Sequence, residues 1–321
     1  YVMAGSQKNN VYSIEAALKY FVTGAFATGT LLFGIAWLYG ATGSFTLTEI
    51  SAALANGSSS MAYLGMILIL AAFLFKVGAA PFHFWSPDVY DGSPAPVTGF
   101  MATVIKLGAF GAFIKLFGST FSGMSDFWMP ALTFLAIMTM FIGNLSAIRQ
   151  ERFKRFLAYS SISHIGYTLI TLIALTENST YNAWFYLTSY GFATIALITI
   201  QIAVNDAEDR IEAFKGVGRK NPLIGIAAVT SLFALAGVPP LMGFFGKYIV
   251  FVDAIAQHPG LIAIALLNSA IGIYYYLRIV IVFLQKTEDE SVEKTPLSFI
   301  QSFILLVCLI GMLFGGVFLM L

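Results

Sequence analysis

Apolar residues run along this chain in long blocks cut by short polar stretches. A bilayer-spanning helix needs roughly 20 mostly apolar residues, and by that measure about nine spans are predicted. They lie at Tyr12–Tyr39, Met61–Ala80 with a broken continuation to Tyr90, Pro94–Phe117, Phe127–Ile148, Arg155–Leu175, Ala183–Val204, Pro222–Ile255, Gly260–Leu284 and Leu297–Leu321. Thr46–Ala55 reads as a short interfacial helix, and Asn205–Asn221, rich in charge, as the longest polar loop. The pattern predicts an all-α, polytopic membrane protein.

Composition agrees with that reading. Of 321 residues, 58% are hydrophobic and 10% charged, against about 25% charged in soluble domains. A net charge of +1 gives no basic surface for nucleic acid. Cys308 stands alone and only three His occur, so no metal-ligand spacing exists. The sequence carries no phosphate-binding glycine loop, no CxxC and no nucleophile elbow. No redox centre, cofactor or metal is therefore expected in this chain. The first residue is Tyr1, and the opening segment lacks a signal-peptide layout, so the chain reads as the interior of a longer protein.

Orientation follows from Lys and Arg between the spans. One side collects Lys8, Arg149, Arg152, Lys154, Arg155, Arg210, Lys215, Arg219, Lys220, Lys286 and Lys294; the other has Lys115. The basic side is predicted cytoplasmic, with the C-terminus outside.

Two spans are interrupted. Phe75–Trp85 reads FKVGAAPFHFW and Ala234–Lys247 reads ALAGVPPLMGFFGK. Proline removes a donor and frees a carbonyl one turn earlier. In lipid, such backbone survives only inside protein or beside water. Paired breaks point to an internal repeat with a transport site at the interruptions. The expected organisation is a first repeat ending at 117, a second at 118–285, and a last helix at 286–321.

Charges at membrane depth are costly and so are functional candidates. Lys76 precedes the first break, Lys106 lies mid-span between Ile105 and Leu107, His164 sits in the fifth span, and Lys247 follows the second break. A buried lysine without a fixed counter-charge becomes a proton carrier rather than a permanent charge. Glu15 and Lys19, four apart, share a helix face and read as a modulating pair, although snorkelling to the interface explains Lys19 equally well. Lys115 reads as a snorkelling lysine. Ser160, Ser161 and Tyr167 flank His164 by about a turn each way and form a hydroxyl-bearing face. His83, in the first break, reads equally as a relay member or a cap for freed carbonyls. Asp88 and Asp91 read as turn-forming residues.

These segments bring a resemblance. Phe75–Phe110, then RFLAYSSISHIGY, LAGVPPLMGFFGKY and AIGIYYYLRI in the same order, resemble the N-subunit family of NADH–quinone oxidoreductase (respiratory complex I). The likeness covers nearly the whole chain. Lys106 in ATVIK separates it from the related L and M subunits, which carry a His-containing helix there. The resemblance implies fourteen helices with two inverted five-helix repeats, of which this chain would hold the sixth helix onward. It implies that Lys76 takes up protons, that Lys106 and His164 form a central axis, that Lys247 releases protons outward, and that Glu15 and Lys19 are an acid–base pair. The family's fifth-helix glutamate, partner of the input lysine, would lie upstream of Tyr1. NADH, FMN, iron–sulfur clusters and quinone are implied in partner subunits of the peripheral redox arm. The other membrane-arm subunits and lipids are implied neighbours, in a bacterial inner membrane. A stand-alone cation–proton antiporter and a structural membrane-arm scaffold are the alternatives.

Overall fold

The computed structural model describes residues 1–57, 59–206, 208–286 and 295–316. Its helices are α1 (Val11–Thr42), α2 (Leu47–Ala55), α3 (Ser60–Val77), α4 (Trp85–Gly92), α5 (Ala95–Ala102), α6 (Val104–Lys115), α7 (Ser125–Ile148), α8 (Phe153–Ala174), α9 (Ser179–Val204), α10 (Val217–Lys220), α11 (Pro222–Ala236), α12 (Met242–Ile255), α13 (Pro259–Leu284) and α14 (Phe299–Phe314). Seven helical stretches among the described residues are long and apolar enough to cross a membrane. The broken α11–α12 pair and the shorter apolar α14 complete the predicted spans. Lys294 and residues 317–321, read above as a basic-side charge and the end of the last span, lie outside the described residues.

Helix starts follow local chemistry. Asn10 accepts from the Tyr12 amide, Ser59 from Ala62 and Asn221 from Ile224, the last with Pro222 at the first helical position. These side-chain oxygens satisfy amides that have no intrahelical partner. Ser298 and Gln301 close a reciprocal capping box on α14.

Both interruptions end their first half in the same way. Gly78 (φ 79°) and Gly237 (φ 84°) adopt the left-handed conformation, which costs glycine nothing. The amide of the next residue then reaches back, Ala79 to the Leu74 carbonyl at 2.8 Å and Val238 to Phe233 at 2.9 Å. That bond pattern is a Schellman cap, and Pro81, three residues after Gly78, and Pro239, two after Gly237, prevent continuation. The freed carbonyls are taken up inside the protein: Trp85 Nε1 donates to Phe75 O at 3.1 Å.

The span read as Pro94–Phe117 departs from prediction. It divides at Thr103 (φ −115°, ψ −76°), three residues before Lys106. The Thr103 hydroxyl bonds back to Gly99 O at 2.7 Å, and such back-bonding bends helices. No glycine or proline marks that position, so the apolar pattern ran straight through it.

α8 is the centre of the bundle, enclosed by α4, α7, α9 and α12, and nearly all of it is buried. It is also the least hydropathic of the seven long stretches. A helix surrounded by protein rather than lipid can carry hydroxyls and an imidazole, provided each finds a partner. Gly143 on α7 permits the closest approach, because a Cβ there would collide with the backbone of Ser163.

At one end of the bundle the basic segments converge. Phe153 N donates to Asp209 O at 2.7 Å and Ile211 N to Glu151 O at 2.8 Å, tying the start of α8 to the loop after α9. Arg278 on α13 donates to Ile148 O at 2.7 Å. The Arg149–Arg155 turn, this loop and the end of α13 therefore share one face. Lys115 lies at the far end, beside Thr176 and Ser179.

Candidate functional site: a buried polar row

Three of the predicted residues stand in one buried band. Lys106, His164 and Lys247 are 3%, 4% and 6% exposed, and they come from α6, α8 and α12. Lys106 Nζ donates to Ser161 Oγ and lies 5.7 Å from the centre of the Tyr90 ring. Ser161 Oγ also accepts from Tyr190 OH at 2.7 Å. One turn on, His164 bonds through Nδ1 to Tyr186 OH at 2.6 Å and through Nε2 to Tyr276 OH at 3.0 Å. Tyr276 OH meets Ser160 Oγ at 2.5 Å.

The band continues past His164. Asn144 Nδ2 donates to Tyr167 OH at 3.3 Å and to Asn268 Oδ1 at 3.0 Å, while Tyr275 OH donates to Asn144 Oδ1 at 2.8 Å. The Tyr167 ring underlies Lys247 Nζ at 5.0 Å. Lys247 Nζ donates to Ser269 Oγ and to Ala236 O, each at 3.0 Å. The second contact caps the carbonyl end of α11, where a cation suits the helix dipole. Neither Lys106 nor Lys247 has an ion-pair partner among the described residues. The alternation of amine, hydroxyl and imidazole gives each polar atom a neighbour that both donates and accepts. Such groups can exchange protons without leaving a fixed charge in the interior.

Lys76 does not join the row. It is exposed in the last turn of α3. His83 is buried in the first break, its ring beside Phe84 at 4.5 Å and against the Pro81 backbone. It makes no hydrogen bond to the row, and its Nδ1 has no partner. Its hydrogen-bond contact is with the Pro81 backbone, inside the break, while Trp85 holds the Phe75 carbonyl.

Glu15 and Lys19 pair at 2.7 Å, but the larger arrangement was not anticipated. Lys19 also reaches Asp88 at 2.7 Å, and Asp88 in turn holds Arg155 at 2.7 Å. Asp88 thus links α1 to α8 across α4 and is not a turn residue. Asp91 pairs with Arg152 at 3.1 Å. The tyrosines of α9 and α13 and Asn144 were likewise missed. Their helices looked like ordinary apolar spans, and only the triple tyrosine Tyr274–Tyr276 offered a signal.

The chain matches, over residues 1–272, a family profile described as NADH:quinone oxidoreductase/Mrp antiporter, TM. It is 39% identical over 99% of its length to NADH-quinone oxidoreductase subunit N of Trichlorobacter lovleyi, covering 66% of that relative. Among solved structures, it superposes on a chain of respiratory complex I from Thermus thermophilus with bound aureothin. There the TM-score is 0.84, at 36% identity, over 97% of this chain and 68% of that one. It also matches a chain of the Mrp complex from Dietzia sp. in fold, with TM-score 0.83 at 21% identity, over 96% of this chain and 66% of the other. The chain spans about two thirds of the length of each of these relatives.

Proposed function

Because this chain belongs to the NADH:quinone oxidoreductase/Mrp antiporter transmembrane family, we propose that it is the proton-translocating membrane-arm subunit N of an NADH:quinone oxidoreductase. The observation that carries this reading is the row itself: two buried lysines without counter-ions, set in one band with His164 and a group of tyrosine and serine hydroxyls. Burying an ionisable side chain at bilayer depth costs about 2.5–3.5 kcal/mol on insertion scales, so two in one band call for a use. A neutral lysine amine accepts a proton, the hydroxyls and imidazole pass it on, and the next lysine receives it.

In this reading Lys76 loads protons from the cytoplasmic side, Lys106 and His164 form the axis, and Lys247 releases them outward. Glu15 and Lys19, with Asp88 and Arg155, modulate the loading step by shifting charge beside the first break. His83 lies in that break as a further relay candidate. The two like interruptions support an organisation in inverted repeats, with 1–117 and 118–285 each holding one and 286–321 adding a last helix. The Arg149–Arg155 face is cytoplasmic in a bacterial inner membrane, and the C-terminus lies outside. Electrons never enter this chain: NADH, FMN, iron–sulfur clusters and quinone belong to partner subunits, and the other membrane-arm subunits are its neighbours.

The test is NADH-driven proton uptake in inverted membrane vesicles carrying Lys106→Leu or Lys247→Leu. Loss of uptake in an assembled complex is expected. Normal uptake by both variants would leave a scaffold role. Uptake driven by a sodium gradient without NADH would make the protein a cation–proton antiporter.

A further inference from the structure

At the basic end of the bundle a groove of about 1710 Å3 opens between the α4–α5 turn, the starts of α1 and α8, and the end of α9. Its wall includes Asp209, 3% exposed, whose carboxylate accepts from Lys154 N at 2.7 Å and Gln201 Nε2 at 3.0 Å. Asp88 and Asp91, carboxylates of the neighbouring α4, are ion-paired to Arg155, Lys19 and Arg152. Asp209 instead rests on N–H donors, so it can take a proton without breaking an ion pair. Lys154 Nζ holds the facing wall through the carbonyls of Asp91 at 2.6 Å and Ser93 at 2.9 Å.

Two further polar atoms of the same groove have no hydrogen-bond partner: Gln201 Oε1 and Ser93 Oγ, on residues 8% and 1% exposed. A buried acceptor left unmatched costs about 1–3 kcal/mol, so these atoms leave hydrogen-bonding capacity unused in the groove wall. From Gln201 the polar positions continue inward on one face of α9, at intervals of seven and then four residues, to Thr194 and Tyr190. From Lys154 they continue two turns along α8 to Ser161. Thr98 and the Tyr90 hydroxyl, which sits near Ser86 and Ser161 without a well-formed hydrogen bond, face the same seam. Tyr190 and Ser161 are hydrogen-bonded to each other, and Ser161 to Lys106.

We propose that protons also enter the row through this groove, with the Asp209 carboxylate collecting them and the seam between α8 and α9 delivering them to Lys106. This intake rests on the relay reading above but does not pass through Lys76. The Asp209 carboxylate takes a proton from hydronium at the groove mouth, leaving water, and becomes neutral. Its proton crosses by water and the hydroxyls of Thr194, Tyr190 and Ser161 to the neutral amine of Lys106, which becomes ammonium. Asp209 returns to carboxylate. Burial, which pushes the Asp209 carboxyl up to about 6, places it where it can both load and unload near neutral pH.

The decisive variant is Asp209→Asn in the assembled complex. Asparagine keeps both contacts, accepting from Lys154 N–H and donating to Gln201 Oε1 once that amide turns, but it cannot carry a proton. Proton uptake in vesicles at pH 8 is expected to fall at least fivefold while thermal stability is retained, and Asp209→Glu to restore most of it. Gln201→Leu, which leaves the Lys154 N–H on Asp209, is expected to lower uptake likewise. Uptake at the parental rate in either Asp209→Asn or Gln201→Leu would overturn the intake. Lys106→Leu is the parallel control. If it abolishes uptake while Asp209→Asn does not, the intake alone is wrong; if it too pumps normally, the relay reading falls with it.

Discussion

Replacing Lys106 separates proton carriage from stability. In Lys106→Leu the side chain loses its bond to Ser161 and its place over the Tyr90 ring, together about 1–2 kcal/mol. Ser161 keeps Tyr190 OH at 2.7 Å, so no polar group is orphaned, and the cost of burying an amine vanishes. The complex should therefore assemble with a melting temperature within a few degrees of the parent. A proton crossing that gap without the amine travels as an uncompensated charge at membrane depth, at about 2.5–3.5 kcal/mol. At 1.36 kcal/mol per factor of ten, proton flux should drop roughly a hundredfold, and coupled NADH–quinone turnover should slow with it. Lys106→Arg retains a cation beside Ser161 and Tyr90 but does not deprotonate, so it should be nearly as damaging. The assay is proton uptake and NADH–quinone turnover in the same vesicles, with assembly checked by native electrophoresis. Uptake by Lys106→Arg within twofold of the parent would refute proton carriage by this residue.

Other outcomes follow from the same geometry. Tyr276→Phe strips a partner from both His164 Nε2 and Ser160 Oγ; it should cost about 1–3 kcal/mol, read as a lowered melting temperature, and slow uptake. Gly143→Val drives a branched side chain into the Ser163 backbone, and overpacking of at least 1–3 kcal/mol should appear as poor assembly in membrane extracts. Asp209 faces the Lys154 amide and Gln201, with Lys154 and Asp91 the nearby charged side chains. Its carboxyl is raised from 3.8 to about 6 by burial, so the folded state binds its proton more tightly. That contribution to stability is full below pH 3.8 and is lost as pH rises through about 6. Asp209→Asn, which escapes the loss, should therefore raise the melting temperature more at pH 8 than at pH 5, and an equal change at both would contradict this. On a background without Cys308, single cysteines in Arg149–Arg155 should resist an impermeant thiol reagent applied to intact cells, and strong labelling would invert the topology.

The spans, both interruptions and the basic side were legible in the amino-acid order, because a bilayer imposes one-dimensional rules. Each crossing needs a long apolar run, charge between runs sets orientation, and Gly followed by Pro ends a helix whatever surrounds it. Lys106, His164 and Lys247 stood out for the same reason, since ionisable groups are conspicuous in apolar runs. Their grouping was not legible. Hydropathy says that a lysine lies at membrane depth but not which way its helix is turned, and Lys76 looked like Lys106 until packing left the first exposed and enclosed the second. Asp88 shows the other limit: its partners lie 69 residues back and 67 ahead, so nothing near it in sequence distinguishes an ion-pair bridge from a turn. Tyr186, Tyr190, Tyr276 and Asn144 count as ordinary members of apolar helices until α8 is seen to be wrapped on all sides. Only that enclosure, which replaces lipid with protein around the least apolar helix, turns their hydroxyls and amides toward one another and makes a row of them.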